Sequence, residues 1–221
     1  MLYIISAALA AYLIGSVSSA VIISKAVYGE DIREHGSGNA GATNMMRIHG
    51  KKAGAAVLLC DFSKGLICVA AAKLLTVYGG APWATVFVAG FFAQLGHTFP
   101  VFFGFRGGKG VATAAGAAFA IMPLTALLLF ALFAVIVGAF RFVSLASGVC
   151  AALYPLLAYF LNGKEYFVFA ACCSALMALS TFQISSACLT AGKEQISIEY
   201  GFIAVAFPKR TAAAIFYCNL L

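Results

Sequence analysis

Residues 36–44 read GSGNAGATN, and Arg47 follows three positions later. Gly36, Gly38 and Gly41 lack a Cβ, so successive backbone N–H groups can turn toward one point. Such a nest binds anions, phosphate most naturally. Ser37, Asn39, Thr43 and Asn44 add polar side chains, and the Arg47 guanidinium grips phosphate oxygens two at a time. A second stretch, GHTFPVFFGFRGGKGVATAAG at 96–116, has the same character. Arg106 and Lys109 bracket Gly107 and Gly108, Gly110 follows, and a small-residue helix begins at once. The free amides and dipole at that helix start favour an anion. This is not a nucleotide-binding P-loop: its GxxxxGK[ST] spacing is absent, and Gly110 stands where Ser or Thr is required. The bland readings are a solvated Gly-Ser loop and two cations at a membrane edge. Glycine recurring beside basic residues in two places favours phosphate.

Other residues carry weaker signals. His97 is either an acid–base group or an imidazole bonded to backbone; His35 and His49 flank the first loop. Asp61 and Lys64 lie three residues apart, on one helical face within an apolar run. Ionisable groups inside a bilayer are costly and mark function, although this pair can also simply neutralise itself. Ser144 and Ser147 follow Arg141 at helical spacing, where Ser also caps or packs helices. Seven cysteines form no CxxC and have no clustered histidines, which argues against zinc and against a secreted disulfide framework. No metal or cofactor is expected.

The elements that must position these residues are membrane helices. The 221-residue chain is 63% hydrophobic and 10% charged, where a soluble domain carries about 25% charge. Its apolar residues fall in long uncharged runs. A span needs roughly 20 of them. Runs at 2–24, 53–75, 82–103, 123–140, 144–162 and 165–182 qualify, and 110–122 is a short seventh. Gly116 and Pro123 divide it from its neighbour. Five or six crossings result if 110–122 does not cross. The first run lacks a basic leader and exceeds a signal peptide's usual ~7–15 apolar residues, so it reads as a retained span. The expectation is one all-α polytopic membrane domain over 1–182, with a tail at 183–221.

With seven spans, every Lys and Arg except Lys64, Lys73 and Lys164 falls on one side. The positive-inside rule makes that side cytoplasmic and puts the N-terminus outside and the C-terminus inside. The net charge of +7 thereby becomes a matter of topology, and no nucleic-acid partner is expected. GSGNAGATN, RGGKG and Ser144 with Ser147 all reach the cytoplasmic face, where they can meet.

GSGNAGATN with Arg47, GHTFPVFFGFRGGKGVAT and RFVSLAS together resemble the bacterial acyl-phosphate:glycerol-3-phosphate acyltransferases of the PlsY type. GSVSSAVIISK at 15–25 and D-x-x-K-G at 61–65 extend the likeness over roughly residues 1–180. The resemblance implies a seven-helix enzyme of the bacterial inner membrane with its active site on the cytoplasmic face. It would transfer a fatty acyl group from acyl phosphate to glycerol 3-phosphate, giving lysophosphatidic acid and phosphate for phospholipid synthesis. It also implies membrane lipid as a partner, and leaves room for association with the enzyme that forms the acyl phosphate. Ser37, Gly38, Asn39 and Thr43 with Arg47 would hold phosphate, shared with Lys109. Gly107, Gly108 and Gly110 would let backbone approach the acyl phosphate. Ser144 matches the family's third polar motif, with Ser147 beside it, and a substrate phosphate would serve as base.

One departure stands out. The family ends with a motif like H-x-x-N-I-x-R-L followed by Gly-x-Glu. Here 181–194 reads TFQISSACLTAGKE, which keeps only Gly192–Glu194. An inactive homologue is therefore one alternative. A transporter of a phosphorylated small molecule is the other, although an internal repeat, usual in transporters, is not evident.

Overall fold

The computed structural model describes residues 1–190, and their side chains as far as Gln183. The tail beyond, with Lys193, Lys209, Arg210 and the Gly192–Glu194 trace, lies outside the described residues. What is described is entirely helical: α1 (Leu2–Gly15), α2 (Ser19–Ile23), α3 (Ala42–His49), α4 (Lys51–Gly79), α5 (Ala84–Thr98), α6 (Val111–Ile121), α7 (Pro123–Phe140), α8 (Val143–Asn162) and α9 (Lys164–Thr190). Six stretches are long and apolar enough to cross a membrane, beginning with Leu2–Tyr28. The expected short seventh is α6, 11 residues long, which is about 16 Å against a hydrocarbon core of about 30 Å.

Two boundaries differ from expectation. Residues 2–24 are not one continuous helix: α1 stops at Gly15, and the chain resumes in α2 and a π-helical turn over Ser24–Tyr28. At the interruption Ser16 and Ser18 are buried, while the Val17 side chain is exposed. Irregular backbone at membrane depth is tolerated only where protein re-satisfies it. Gly116, expected to help divide α6 from α7, instead lies within α6. The division comes at Pro123, the first residue of α7, where the missing N–H costs nothing and the fixed φ suits a helix start.

Gly116 has a different use. A Cβ there would collide with the Phe62 carbonyl oxygen of α4, and one on Gly65 would collide with the Thr113 carbonyl oxygen of α6. The α1–α5 crossing repeats the device: Gly15 abuts the Ala93 carbonyl and Gly96 the Tyr12 carbonyl. Lipid gives helices no hydrophobic reason to associate, so close backbone approach through small residues drives packing. These crossings bring α1, α4, α5 and α6 together around a core that includes Val69, Val86, Ala93 and Ala117. Large apolar side chains such as Leu59, Phe130, Phe160 and Phe182 stay exposed on the outside, as a lipid-facing surface requires.

Candidate active site

The first glycine loop is held by one side chain. Asn44, 1% exposed, accepts from the Ser37 N–H at 3.0 Å and donates to the carbonyls of Ile32 at 3.2 Å and His35 at 3.0 Å. It was expected to contact phosphate. Its hydrogen bonds go instead to the loop's own backbone. Gly36 is required by the same brace: its φ is +58°, and a Cβ would strike the Asn44 side-chain oxygen. Below the loop, Arg33 pairs with Asp31 through Nε at 2.9 Å and Nη2 at 2.7 Å. Its Nη1 donates to the Phe103 carbonyl at 2.7 Å and the Arg106 carbonyl at 3.3 Å. Arg33 thus ties the first loop to the second. Its guanidinium holds the Asp31 carboxyl well below the usual carboxylate range, and Asp31 in turn raises Arg33.

In the second loop the glycines serve internal packing. A Cβ on Gly107 would overlap the His97 carbonyl, and one on Gly108 would overlap His97 Nε2. Gly110, at φ +79°, starts α6 against Gln94 and Thr98. Gly107 and Gly108 were expected to admit substrate; what each touches is His97. Lys109 projects the other way, with Nζ 3.1 Å from Ser144 Oγ at the start of α8. Ser180 of α9 donates to the Lys109 carbonyl at 3.2 Å. Ser147 Oγ turns back to the Ser144 carbonyl at 3.0 Å. Contacts from α8 and α9 therefore fix the position of Lys109.

Beneath these loops a buried charge cluster joins α2, α4 and α5. Lys64 Nζ lies 2.9 Å from Asp61 Oδ1, 3.0 Å from the Val17 carbonyl and 2.8 Å from His97 Nδ1. Ser19 Oγ donates to Asp61 at 2.6 Å. Asp61, Lys64 and His97 are 2%, 8% and 6% exposed. The Val17 carbonyl is available because the helix breaks there.

A cavity of about 460 Å³ collects these groups. One part of its wall is polar: Ser37, Asn39, Thr43, Asp61, His97, Lys109, Ser144 and Ser147. The rest is apolar, including Leu58, Leu59, Phe62, Leu129, Phe130, Phe133, Tyr154 and Met177. Leu58, Leu59 and Phe130 are also exposed on the outer surface, so the apolar end reaches the lipid-facing side. Of the residues expected to meet substrate, Gly36, Gly38, Asn44, Arg47, Arg106, Gly107 and Gly108 do not line this cavity, and Gly110 does. Arg47 sits on α3, one turn past Thr43, and Arg106 is exposed, its carbonyl serving Arg33. Sequence reasoning missed Ser19, Asp31 and Arg33. An Asp two residues before an Arg, ahead of a glycine loop, was the available signal for the last two.

Comparison with known proteins identifies the family. A family model described as glycerol-3-phosphate acyltransferase matches residues 5–188. A glycerol-3-phosphate acyltransferase of Neisseria gonorrhoeae is 42% identical over 190 residues, 86% of this chain and 95% of that protein. One of Syntrophotalea carbinolica is 46% identical over 160 residues, 72% of this chain and 80% of its own length. The crystal structure of PlsY (YgiH), an integral membrane glycerol 3-phosphate acyltransferase in its glycerol 3-phosphate form, superposes with a TM-score of 0.74 at 36% identity, covering 85% of this chain and 92% of that one. Its lysophosphatidic acid form gives 0.71 at 35% identity, with the same coverage. With its glycine loops, buried charge cluster and half-apolar cavity, this integral membrane chain belongs to the glycerol-3-phosphate acyltransferase family.

Proposed function

We propose that this protein transfers a fatty acyl group from acyl phosphate to glycerol 3-phosphate, producing lysophosphatidic acid and inorganic phosphate for phospholipid synthesis. The observation that carries the reading is the two-part cavity. Its polar end gathers Ser37, Asn39 and Thr43 of the first loop with Lys109 and Ser144, and its apolar walls extend toward lipid. Two phosphates and one acyl chain match that division.

The step needs little from the protein beyond placement and charge. The glycerol hydroxyl oxygen bonds to the acyl carbonyl carbon, and the bond from that carbon to the phosphate oxygen breaks. The phosphate leaves with the electron pair, and a substrate phosphate oxygen takes the hydroxyl proton. An acyl phosphate is already activated, so orientation and electrostatic stabilisation supply much of the rate. Lys109 neutralises developing charge on the leaving phosphate, and Ser144, 3.1 Å away, aims it. Ser37 and Thr43 offer hydroxyl donors from the cavity wall. Asn39 lines the same wall and brings an amide side chain to it. Arg47 adds positive charge behind Thr43. The family resemblance implies the bacterial inner membrane, and the charge asymmetry of the loops favours an N-terminus outside with the cavity's polar end at the cytoplasmic face.

The test is donor choice. Purified protein is given labelled glycerol 3-phosphate with acyl phosphate, or with acyl-CoA, and product is identified as lysophosphatidic acid. Product from acyl phosphate alone is expected. Equal or faster transfer from acyl-CoA would overturn the assignment of the donor.

A further inference from the structure

The cluster of Ser19, Asp61, Lys64 and His97 is not used by the step above, yet two of its members, Asp61 and His97, line the cavity. His97 lines the wall. Its Nδ1 lies 2.8 Å from Lys64 Nζ and 3.5 Å from Asp61 Oδ1; the shorter contact sets the role, and an ammonium group can only donate. Nδ1 therefore accepts, and the ring hydrogen is carried on Nε2. Among the described residues no hydrogen bond to Nε2 is seen, and the His97 ring forms part of the cavity wall. It is held beside Gly108, the one neighbour whose missing side chain leaves room for the ring.

We infer that His97 donates a hydrogen bond from Nε2 to a phosphate oxygen at the polar end of the cavity, with Lys64, Asp61 and Ser19 as positioning residues that fix the ring's orientation and tautomer. The geometry gives each member a part. Ser19 and Lys64 satisfy the Asp61 carboxylate at 2.6 and 2.9 Å. Asp61 and the Val17 carbonyl hold Lys64, at 2.9 and 3.0 Å. Lys64 then occupies Nδ1. Such support fixes which nitrogen of a histidine acts, as second-shell partners do around metal-bound imidazoles. The ligand chemistry is phosphate, from either the acyl donor or glycerol 3-phosphate. The inference rests on the reading of the cavity as the acyl-transfer site.

The test combines kinetics with histidine nitrogen NMR of the full-length protein in detergent. In the wild type, the His97 resonances, assigned by their loss in His97→Gln, are expected to report Nδ1 unprotonated and Nε2 protonated. Adding inorganic phosphate, and separately glycerol 3-phosphate, is expected to shift the Nε2–H signal. His97→Ala should lower kcat/KM on the order of 10–100-fold, the usual loss for a hydrogen bond to a charged group. His97→Gln carries an amide N–H near the Nε2 position and should recover at least half of that loss on a logarithmic scale. The KM that rises in His97→Ala identifies which phosphate is bound. An Nδ1-protonated ring, a signal unmoved by either phosphate, or no recovery in a folded His97→Gln would overturn the inference. The NMR arm decides it even if acyl phosphate is not the donor.

Discussion

Removing the two charges of the buried pair should have unequal costs. Asp61→Asn leaves the Lys64 ammonium with two acceptors, the Val17 carbonyl at 3.0 Å and His97 Nδ1 at 2.8 Å. Lys64→Met leaves the Asp61 carboxylate with one short hydrogen bond, from Ser19 at 2.6 Å, and a longer contact to His97 Nδ1 at 3.5 Å. Breaking a buried pair costs about 3–5 kcal/mol when the remaining charge is uncompensated, so Lys64→Met should fall in that range. Each charge-assisted hydrogen bond retained is worth about 1.5–3 kcal/mol, so Asp61→Asn should cost about 1–3 kcal/mol. The double variant Asp61→Asn/Lys64→Met carries no buried charge and should lose less than Lys64→Met alone, giving a coupling of about 2 kcal/mol. Equilibrium unfolding of the four proteins in mixed detergent, followed by helix signal, measures the cycle. Asp61→Asn proving as damaging as Lys64→Met, or two additive effects, would refute the contact geometry that sets the asymmetry.

Gly65→Ala and Gly116→Ala each push a methyl against a backbone carbonyl across the α4–α6 crossing, and should cost about 1–3 kcal/mol by overpacking; the same unfolding assay checks them, and Gly79→Ala, with open space around it, is the control. Asn44→Ala removes three hydrogen bonds from the first loop and should raise the KM for a phosphate substrate while costing about 1–3 kcal/mol; steady-state kinetics with a melt checks both. The Asp31 carboxyl is depressed by Arg33. Its stabilising contribution is therefore fully present above the ordinary carboxylate pKa of about 3.9 and fades as pH falls through the lower folded value. Thermal melts between about pH 2 and 6 should show an acid limb that flattens in Asp31→Asn, and identical limbs would count against the Arg33 pairing.

The spans were legible because long charge-free runs have no other use in a chain this apolar. The polar residues were legible as types, since glycine beside Lys or Arg points to anions wherever it falls. Their contacts were not. Asn44 reads as one more donor in GSGNAGATN, and only the folded loop shows it closing onto Ile32 and His35. Gly107 and Gly108 read as room for a ligand; in the fold their open faces meet His97, near the end of α5. The Ser19–Asp61 and Lys64–His97 contacts span 42 and 33 positions, and no local pattern reports a pairing at that range. The break after Gly15 was hidden because Ser16, Val17 and Ser18 are tolerated in a membrane helix. Its purpose, a free Val17 carbonyl for Lys64, exists only in the packed bundle.

The central claim is that the polar end of one cavity, built around Lys109, performs acyl transfer to glycerol 3-phosphate. The direct measurement is lysophosphatidic acid formation from acyl phosphate and labelled glycerol 3-phosphate by the purified full-length chain, beside Lys109→Ala of matched thermal stability. The expected result is product from the wild type and a loss on the order of 10²–10³-fold in the variant, the scale of removing a preorganised charge-stabilising group. No product from the folded wild type, or equal rates in the two proteins, would contradict it.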